Sequence, residues 1–423
     1  MTDKGTQAAV GRRQRVAPRL RQAAYVGLSR RTVAGGLLRG RPPDQEPSPP
    51  PAEYLMLRPA VRTSSELSDL AARVNWYLPD ARVPVAVQAA PGTEVAPEYA
   101  PWMEPELVRE PGWLDGPPGG RAHSVVHRVT PREAMTVLRR GRASVLAARD
   151  FYSVADLGWV WLRWHFATMA SRSSEAATER LFSLGGPGTS AFVLATGPSA
   201  ALVDPASVSA EVRISCNSVV RDLDLLRSLQ PNIICFMDPA FHYGPSRYAA
   251  AFRRDLLRAV KETDALLVTT ELWAGLLLTH HPELVDRLII LRVLKNKPAW
   301  HWPTPERMTV RMTGNILTTA LLPIAFALAG RVEIAGCDGR RPDERYFWRH
   351  NKRTQYNDDL MRTAFDTHPA FFRDVDYADY YDDHCQQLEE LLAVGEDAGK
   401  RAIGLTPSYI PALSRRGAPA PVS

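Results

Sequence analysis

The sequence predicts an α/β protein whose larger part is a mostly parallel sheet with helices on both faces, preceded by a smaller α/β domain. Three observations carry this. Apolar runs of strand length recur from residue 190 onward, and segments with helical spacing separate them. Strands that alternate with helices are joined by crossovers, which yield a parallel sheet covered on both sides. Polar and small residues gather where the apolar runs end, the edge at which such sheets bind ligands. A chain of 423 residues holds two or three domains of this kind, and 45% hydrophobic with 23% charged residues is the balance of a soluble globular protein.

The chain opens on a basic arm. Residues 1–41 carry ten Lys/Arg against one Asp, and a proline-rich linker, PPDQEPSPPPA, follows at 42–52. The remaining chain holds 42 Lys/Arg against 45 Asp/Glu. That near-neutral body argues against a nucleic-acid surface on it. The arm itself reads as a disordered tail suited to anionic lipid, nucleic acid or an acidic partner. No apolar segment of signal-peptide length follows it, so none is expected. The small α/β domain spans 53–150. Its strands fall at 54–57, 83–88, 123–129 and 143–148, with a helix after the Thr63-Ser-Ser-Glu66 cap, another at 131–140, and a Pro/Gly-rich excursion at 89–121. His123 and His127 share a strand face and read as structural. A connecting helix and linker occupy 151–188. Trp159, Trp161 and Trp164 suit burial between domains, and Asp156, Arg163 and His165 interrupt the helix too often for a bilayer span.

The main domain, 189–414, centres on the strand Ala191–Ala195, which ends at Thr196-Gly197-Pro198-Ser199. Glycine lets a backbone approach a phosphate, and the two hydroxyls are donors. An isolated Gly-Pro-Ser is a turn. The next strand, Val212–Ser215, closes on Cys216-Asn217 in the same way, and two polar strand ends in succession point to a nucleotide crevice. A helix at 223–229 leads to a strand at 232–237 that ends at Asp238-Pro239. Then come a helix at 247–261, a strand at 265–269, a helix at 273–279, a strand at 287–294 and an irregular stretch at 295–305. Thr313-Gly314-Asn315 opens an apolar helix at 316–329, whose positive end favours an anion. A strand at 331–336 ends at Cys337-Asp338-Gly339, and a helix at 388–392 precedes a last strand at 402–405 with Thr406-Pro407-Ser408. The Gly185–Gly188 cluster precedes its strand, so it is no GxGxxG fingerprint, and no GxxxxGK[ST] loop occurs. Four scattered cysteines, without CxxC, fit a reducing cytoplasm and give no zinc signal.

TGPS at 196–199, CN at 216–217, DP at 238–239, TGN at 313–315 and CDG at 337–339 form, in this order, a series similar to that of the GT42-type bacterial sialyltransferases. Their wider relatives are the motility-associated glycosyltransferases and the archaeal pterin diphosphokinases. The resemblance covers about residues 190–413 and implies a Rossmann-like domain that binds a nucleotide sugar without a cofactor or metal. It implies that Thr196, Gly197, Pro198 and Ser199 meet the donor phosphate or ribose, Asn217 and Asp238 the nucleoside, and Asp338 sugar or ribose hydroxyls. Thr313, Gly314 and Asn315 would face phosphate or carboxylate. Tyr346 matches a lid tyrosine, while Arg340 and Arg341 replace an expected aromatic and suit an oxyanion. The catalytic base is a histidine among His350, His368 and His384, with His368 preferred for its loop setting and its distance from Asp338. Asp374-Val-Asp376 resembles a DxD metal motif but sits in an acidic run. The implied reaction moves a sugar, a CMP-linked nonulosonic acid, to a hydroxyl of a surface glycan or glycolipid by direct displacement. The protein is expected in the cytoplasm, with contact through the arm to anionic membrane at the inner face. A pterin-type diphosphokinase using ATP and Mg²⁺, or a non-catalytic partner protein with a nucleotide fold, are the alternatives.

Overall fold

The computed structural model describes residues 53–77, 85–108, 121–126, 143–145, 175–340 except 187, 295 and 297, then 353–367 and 377–417. The basic arm, the Trp159–Trp164 segment, the helix expected at 131–140, His127, Arg341, Tyr346, His350, His368 and the Asp374-Val-Asp376 run lie outside the described residues. What is described falls into two compact units that divide between residues 165 and 166.

The smaller unit contains β1 (Glu53–Val61), α1 (Ser64–Tyr77), β2 (Val85–Ala89), β3 (Arg121–Val126) and β4 (Ala143–Val145). The strand order is β2-β1-β3-β4, and every pair is parallel. The cap read from sequence starts α1: Glu66 N–H donates to Thr63 Oγ1 at 3.2 Å, and the Glu66 carboxylate accepts from Arg62 N–H at 2.9 Å. Leu67, Leu70 and Val74 bury one face of it. The proline-rich excursion is not shapeless. Its two short 3₁₀ turns, Pro97–Tyr99 and Pro105–Leu107, bring Met103 and Val108 against Ala72 of α1.

The larger unit is one parallel sheet. Its strands are β5 (Ser190–Leu194), β6 (Val212–Cys216), β7 (Ile233–Cys235), β8 (Leu266–Thr270), β9 (Leu288–Leu294), β10 (Thr309–Arg311), β11 (Arg331–Ala335) and β12 (Arg401–Gly404). They lie in the order β10-β9-β8-β7-β6-β5-β11-β12, all pairs parallel. The fold is Rossmann-like α/β, as the sequence predicts. Successive side chains of a strand point to opposite faces. Ala191 and Val193 join a core with the helices at 322–328 and 377–397, and Phe192 and Leu194 on the other face are equally buried. The chain builds outward from β5 to β10, then returns to the far side of β5 with β11. The topological switch point therefore falls between β5 and β11, where Thr196–Ser199 and Cys337–Gly339 emerge.

The covering helices are α2 (Leu223–Leu229), α3 (Arg247–Thr263), α4 (Glu271–His280), α5 (Leu322–Leu328), α6 (Asp358–Thr367), α7 (Tyr377–Asp397) and α8 (Pro411–Ser414). Residues 175–183 are also helical, and Ala177 and Leu181 lie in the large core, so this end of the expected linker packs with the larger unit. The sequence reading does not contain α6 or α8, and three further details depart from it. β7 is only three residues long, because the chain turns at Phe236 toward the Asp238 cap. α7 begins eleven residues before Leu388. A further strand, β10, follows the irregular stretch. Pro298, Pro303 and Pro305 bar a helix from the β9-to-β10 crossover. Trp300 and Trp302 anchor it instead, the first under the Arg311 guanidinium at 4.2 Å and bonded to Glu390, the second edge-on to Phe326.

The apolar helix after Asn315 begins as a π turn, Leu317–Leu321, before α5. Pro323 explains this. It has no N–H for the Thr319 carbonyl, and its ring crowds that carbonyl, so the chain widens the preceding turn. Among the described residues, no helix is long and apolar enough to cross a membrane.

Candidate functional site

The first wall of the site is the turn after β5. Pro198, at the first helical position, starts a 3₁₀ turn, Pro198–Leu202, with Gly197 as its cap. No Gly197 side chain satisfies the exposed N–H groups; Asp338, after β11, does so. Its carboxylate accepts from Ser199 N–H at 3.0 Å and from Ser199 Oγ at 2.8 Å. Gly197 N–H donates to the Gly336 carbonyl at 2.8 Å. A Cβ at Gly197 would stand 2.1 Å from Asp338 Oδ2, so glycine is required by the neighbouring loop. Its φ of −66° is ordinary. The expected reason for the glycine, approach of a phosphate, thus has a competitor inside the protein.

The turn after β12 joins the same cluster. Thr406 Oγ1 accepts from Gly336 N–H at 3.0 Å and bonds to Ser199 Oγ at 2.9 Å. Ser408 Oγ donates to the Cys337 carbonyl at 2.6 Å, and Tyr409 N–H to that of Asp338. Thr196, almost fully buried, leads into this knot. Three strand ends, β5, β11 and β12, are therefore laced together at the switch point.

The next strand end differs. Asn217 sits in the left-handed region at φ 50°, a conformation that costs a side-chain-bearing residue free energy. Its Oδ1 is buried and meets no donor among the described residues. One strand further along the sheet, Asp238 caps the segment after β7: Oδ1 accepts from Ala240 and Phe241 N–H at 2.8 and 2.9 Å. Burial pushes its carboxyl up from the usual range, and these two bonds oppose the shift. Asp238 N–H donates to His242 Nδ1 at 2.9 Å, which fixes the proton of the neutral ring on Nε2. His242 is buried and its pKa is pushed down to about 3, first by desolvation and then by the Arg253 charge. Nothing in the sequence marks His242 except its offset of four from Asp238.

At the start of the π turn, Thr313 is the hub. Its hydroxyl bonds to Thr318 and Thr319 hydroxyls, each at 2.7 Å, and its N–H donates to Thr319 Oγ1. Asn315 Oδ1 caps Leu317 N–H at 2.9 Å. Gly314 adopts φ 85°, and its carbonyl accepts from Tyr380 Oη at 2.5 Å. Tyr380 and Tyr381 come from the first turn of α7. Tyr381 Oη accepts from Arg340 N–H at 3.1 Å, and the Arg340 guanidinium lies over its ring at 5.2 Å. Burial pushes the Tyr381 phenol up to about 12. This tyrosine pair was missed, because nothing in a run of Tyr and Asp says which ring turns inward.

Of the three candidate histidines, His384 alone is described. It lies in α7, 4% exposed, with its pKa pushed down to about 4 by burial. Among the described residues no group of His, Cys, Asp or Glu is arranged to hold a metal. The arrangement offers buried acceptors, capped turns and the Arg340 guanidinium along a single sheet edge. Comparison with family models, with curated proteins and with solved structures finds no match to this chain.

Proposed function

We propose that the larger unit is a glycosyltransferase that binds a nucleotide-activated sugar, a CMP-linked nonulosonic acid, in the crevice at the carboxyl edge of its sheet. The observation that carries this is Asn217. A left-handed asparagine with a buried, donorless Oδ1 beside the switch point carries a cost on the order of 1–3 kcal/mol. A nucleoside offers amino and hydroxyl donors that relieve it. Arg340, half-buried on Tyr381, supports the phosphate end, with the Thr313–Asn315 turn beside it. The base is His368 or His350, taking the proton of an acceptor hydroxyl as that oxygen attacks the anomeric carbon and the nucleotide leaves. His384 suits that role least, since its burial bars a bulky acceptor. No metal is invoked. The acceptor is a surface glycan or glycolipid, and the +9 arm supports contact with anionic membrane at the cytoplasmic face.

Thermal unfolding with CMP, UDP, GDP and ATP, each with and without Mg²⁺, tests the reading. CMP is expected to raise Tm without metal, and Asn217→Ala to abolish the shift. A Mg²⁺-dependent shift with ATP alone would replace the reading with a diphosphokinase. One observation favours a non-catalytic nucleotide-fold protein: Ser199, Asp338 and Thr406 already bond to one another across the strand ends. Full turnover in each of the His350, His368 and His384 single variants would rule out the assigned base, and a nucleotide shift without turnover in the parent would favour the non-catalytic protein.

A further inference from the structure

A cleft of about 230 Å³ opens at the opposite, amino-terminal edge of the large sheet, between the helix at 175–183, the start of β6 and the end of α3. Arg213, the second residue of β6, stands in it. Its backbone is clamped on both sides by Asn232, whose Oδ1 accepts from Arg213 N–H at 2.7 Å and whose N–H donates to the Arg213 carbonyl at 2.8 Å. The side chain is a different matter. Among the described residues the buried Arg213 Nε meets no acceptor, and no carboxylate pairs with the guanidinium.

Three acidic groups on the adjoining elements are engaged elsewhere. Asp264 binds Arg180 through Oδ2 at 2.7 Å and Arg287 through Oδ1 at 2.9 Å. Glu211 accepts from Ser190 N–H and Oγ, and Glu262 holds Arg227. Among the residues that line the cleft, two arginines, Arg180 and Arg213, stand against one carboxylate, Asp264, and that carboxylate is bonded to Arg180 and to Arg287. Gln230 and Asp264 both line it, and both close helices in the left-handed conformation, at φ 48° and 52°. Glycine is the residue that fits such caps without strain. Side chains kept there at a cost are a mark of binding sites.

We propose that this cleft binds a small oxyanion, phosphate or a phosphate monoester, through the Arg213 guanidinium. Its parallel N–H groups match two oxygens of such an anion. The volume is enough for the oxyanion and a short organic remainder. The site lies at the other end of the strands from Asn217, so the two are separable by experiment.

Inorganic phosphate and glycerol phosphate are titrated calorimetrically into the full-length chain, the Arg213→Met variant and the Asn217→Ala variant. Met keeps the apolar stem and removes the fork. The expected result is a Kd at least tenfold weaker in R213M and unchanged in N217A. Without phosphate, R213M melts no lower than the parent, because an uncompensated cation is gone; an arginine with a purely structural role would lower Tm. Arg213→Lys keeps a charge in place should R213M fail to fold, and it weakens binding at least threefold. Equal phosphate affinity in the parent and the Arg213 variants, or no binding of either anion by the parent, overturns the proposal.

Discussion

Gly197 and Asp338 decide how closely two strand ends approach. A methyl at Gly197 would meet Asp338 Oδ2 at 2.1 Å and the Gly336 carbonyl at 2.5 Å, and neither belongs to a long flexible side chain. Gly197→Ala is expected to destabilise the larger unit by about 1–3 kcal/mol, read as a lower urea midpoint at unchanged slope. His242 and His384 set a second expectation. Both are buried, with pKa values near 3 and 4, so the fold holds them neutral where the unfolded chain protonates near 6.5. The unfolded state then binds more protons, and stability falls as pH drops below about 6.5. Between pH 7 and 5 each histidine accounts for roughly 2 kcal/mol of loss. Melting curves across that range check it, and His242→Asn should flatten the dependence.

At the scale of elements, the start of the π turn rests on three threonine hydroxyls. Thr319 is fully buried and serves both the N–H and the hydroxyl of Thr313. Thr319→Val keeps the shape, strands the Thr313 N–H, removes one partner of the Thr313 hydroxyl and is expected to cost about 1–3 kcal/mol in chemical denaturation. Most elements were legible, since runs such as Leu288-Ile-Ile-Leu291 or Val332-Glu-Ile-Ala335 are rich in apolar, β-branched residues and bounded by turn residues. Two were not. Thr-Val-Arg at 309–311 is too short to carry a period, and only its neighbour β9 makes it a strand. The first half of α7, rich in Tyr and Asp, carries no aliphatic residue larger than Ala before Leu388, and its Tyr380 and Tyr381 hydroxyls meet the Gly314 carbonyl and the Arg340 N–H. The site was legible to the same extent. TGPS and CDG announce themselves as strand ends, yet their bond to each other joins residues 139 apart, a fact of strand order that no local pattern contains.

For the whole molecule, charge is divided as unevenly as structure. The arm's +9 against a body near neutral predicts salt-sensitive binding to anionic vesicles, and deletion of residues 1–41 should abolish sedimentation with them while leaving Tm unchanged. Equal sedimentation by the shortened chain would locate the contact on the body instead. The order of the strands also fixes a timetable. β5 lies inside the sheet, third from one edge, but one of its two neighbours, β11, is encoded about 140 residues later. At ribosomal speeds of roughly 5–20 residues per second, that edge stays unpaired on the order of ten seconds in every nascent chain. During that interval a flat apolar strand presents open backbone groups to any other strand nearby. Synthesis from the amino terminus therefore makes the heart of this sheet its most vulnerable part, and a chaperone that shields residues 190–194 would matter most before residue 335 has left the ribosome.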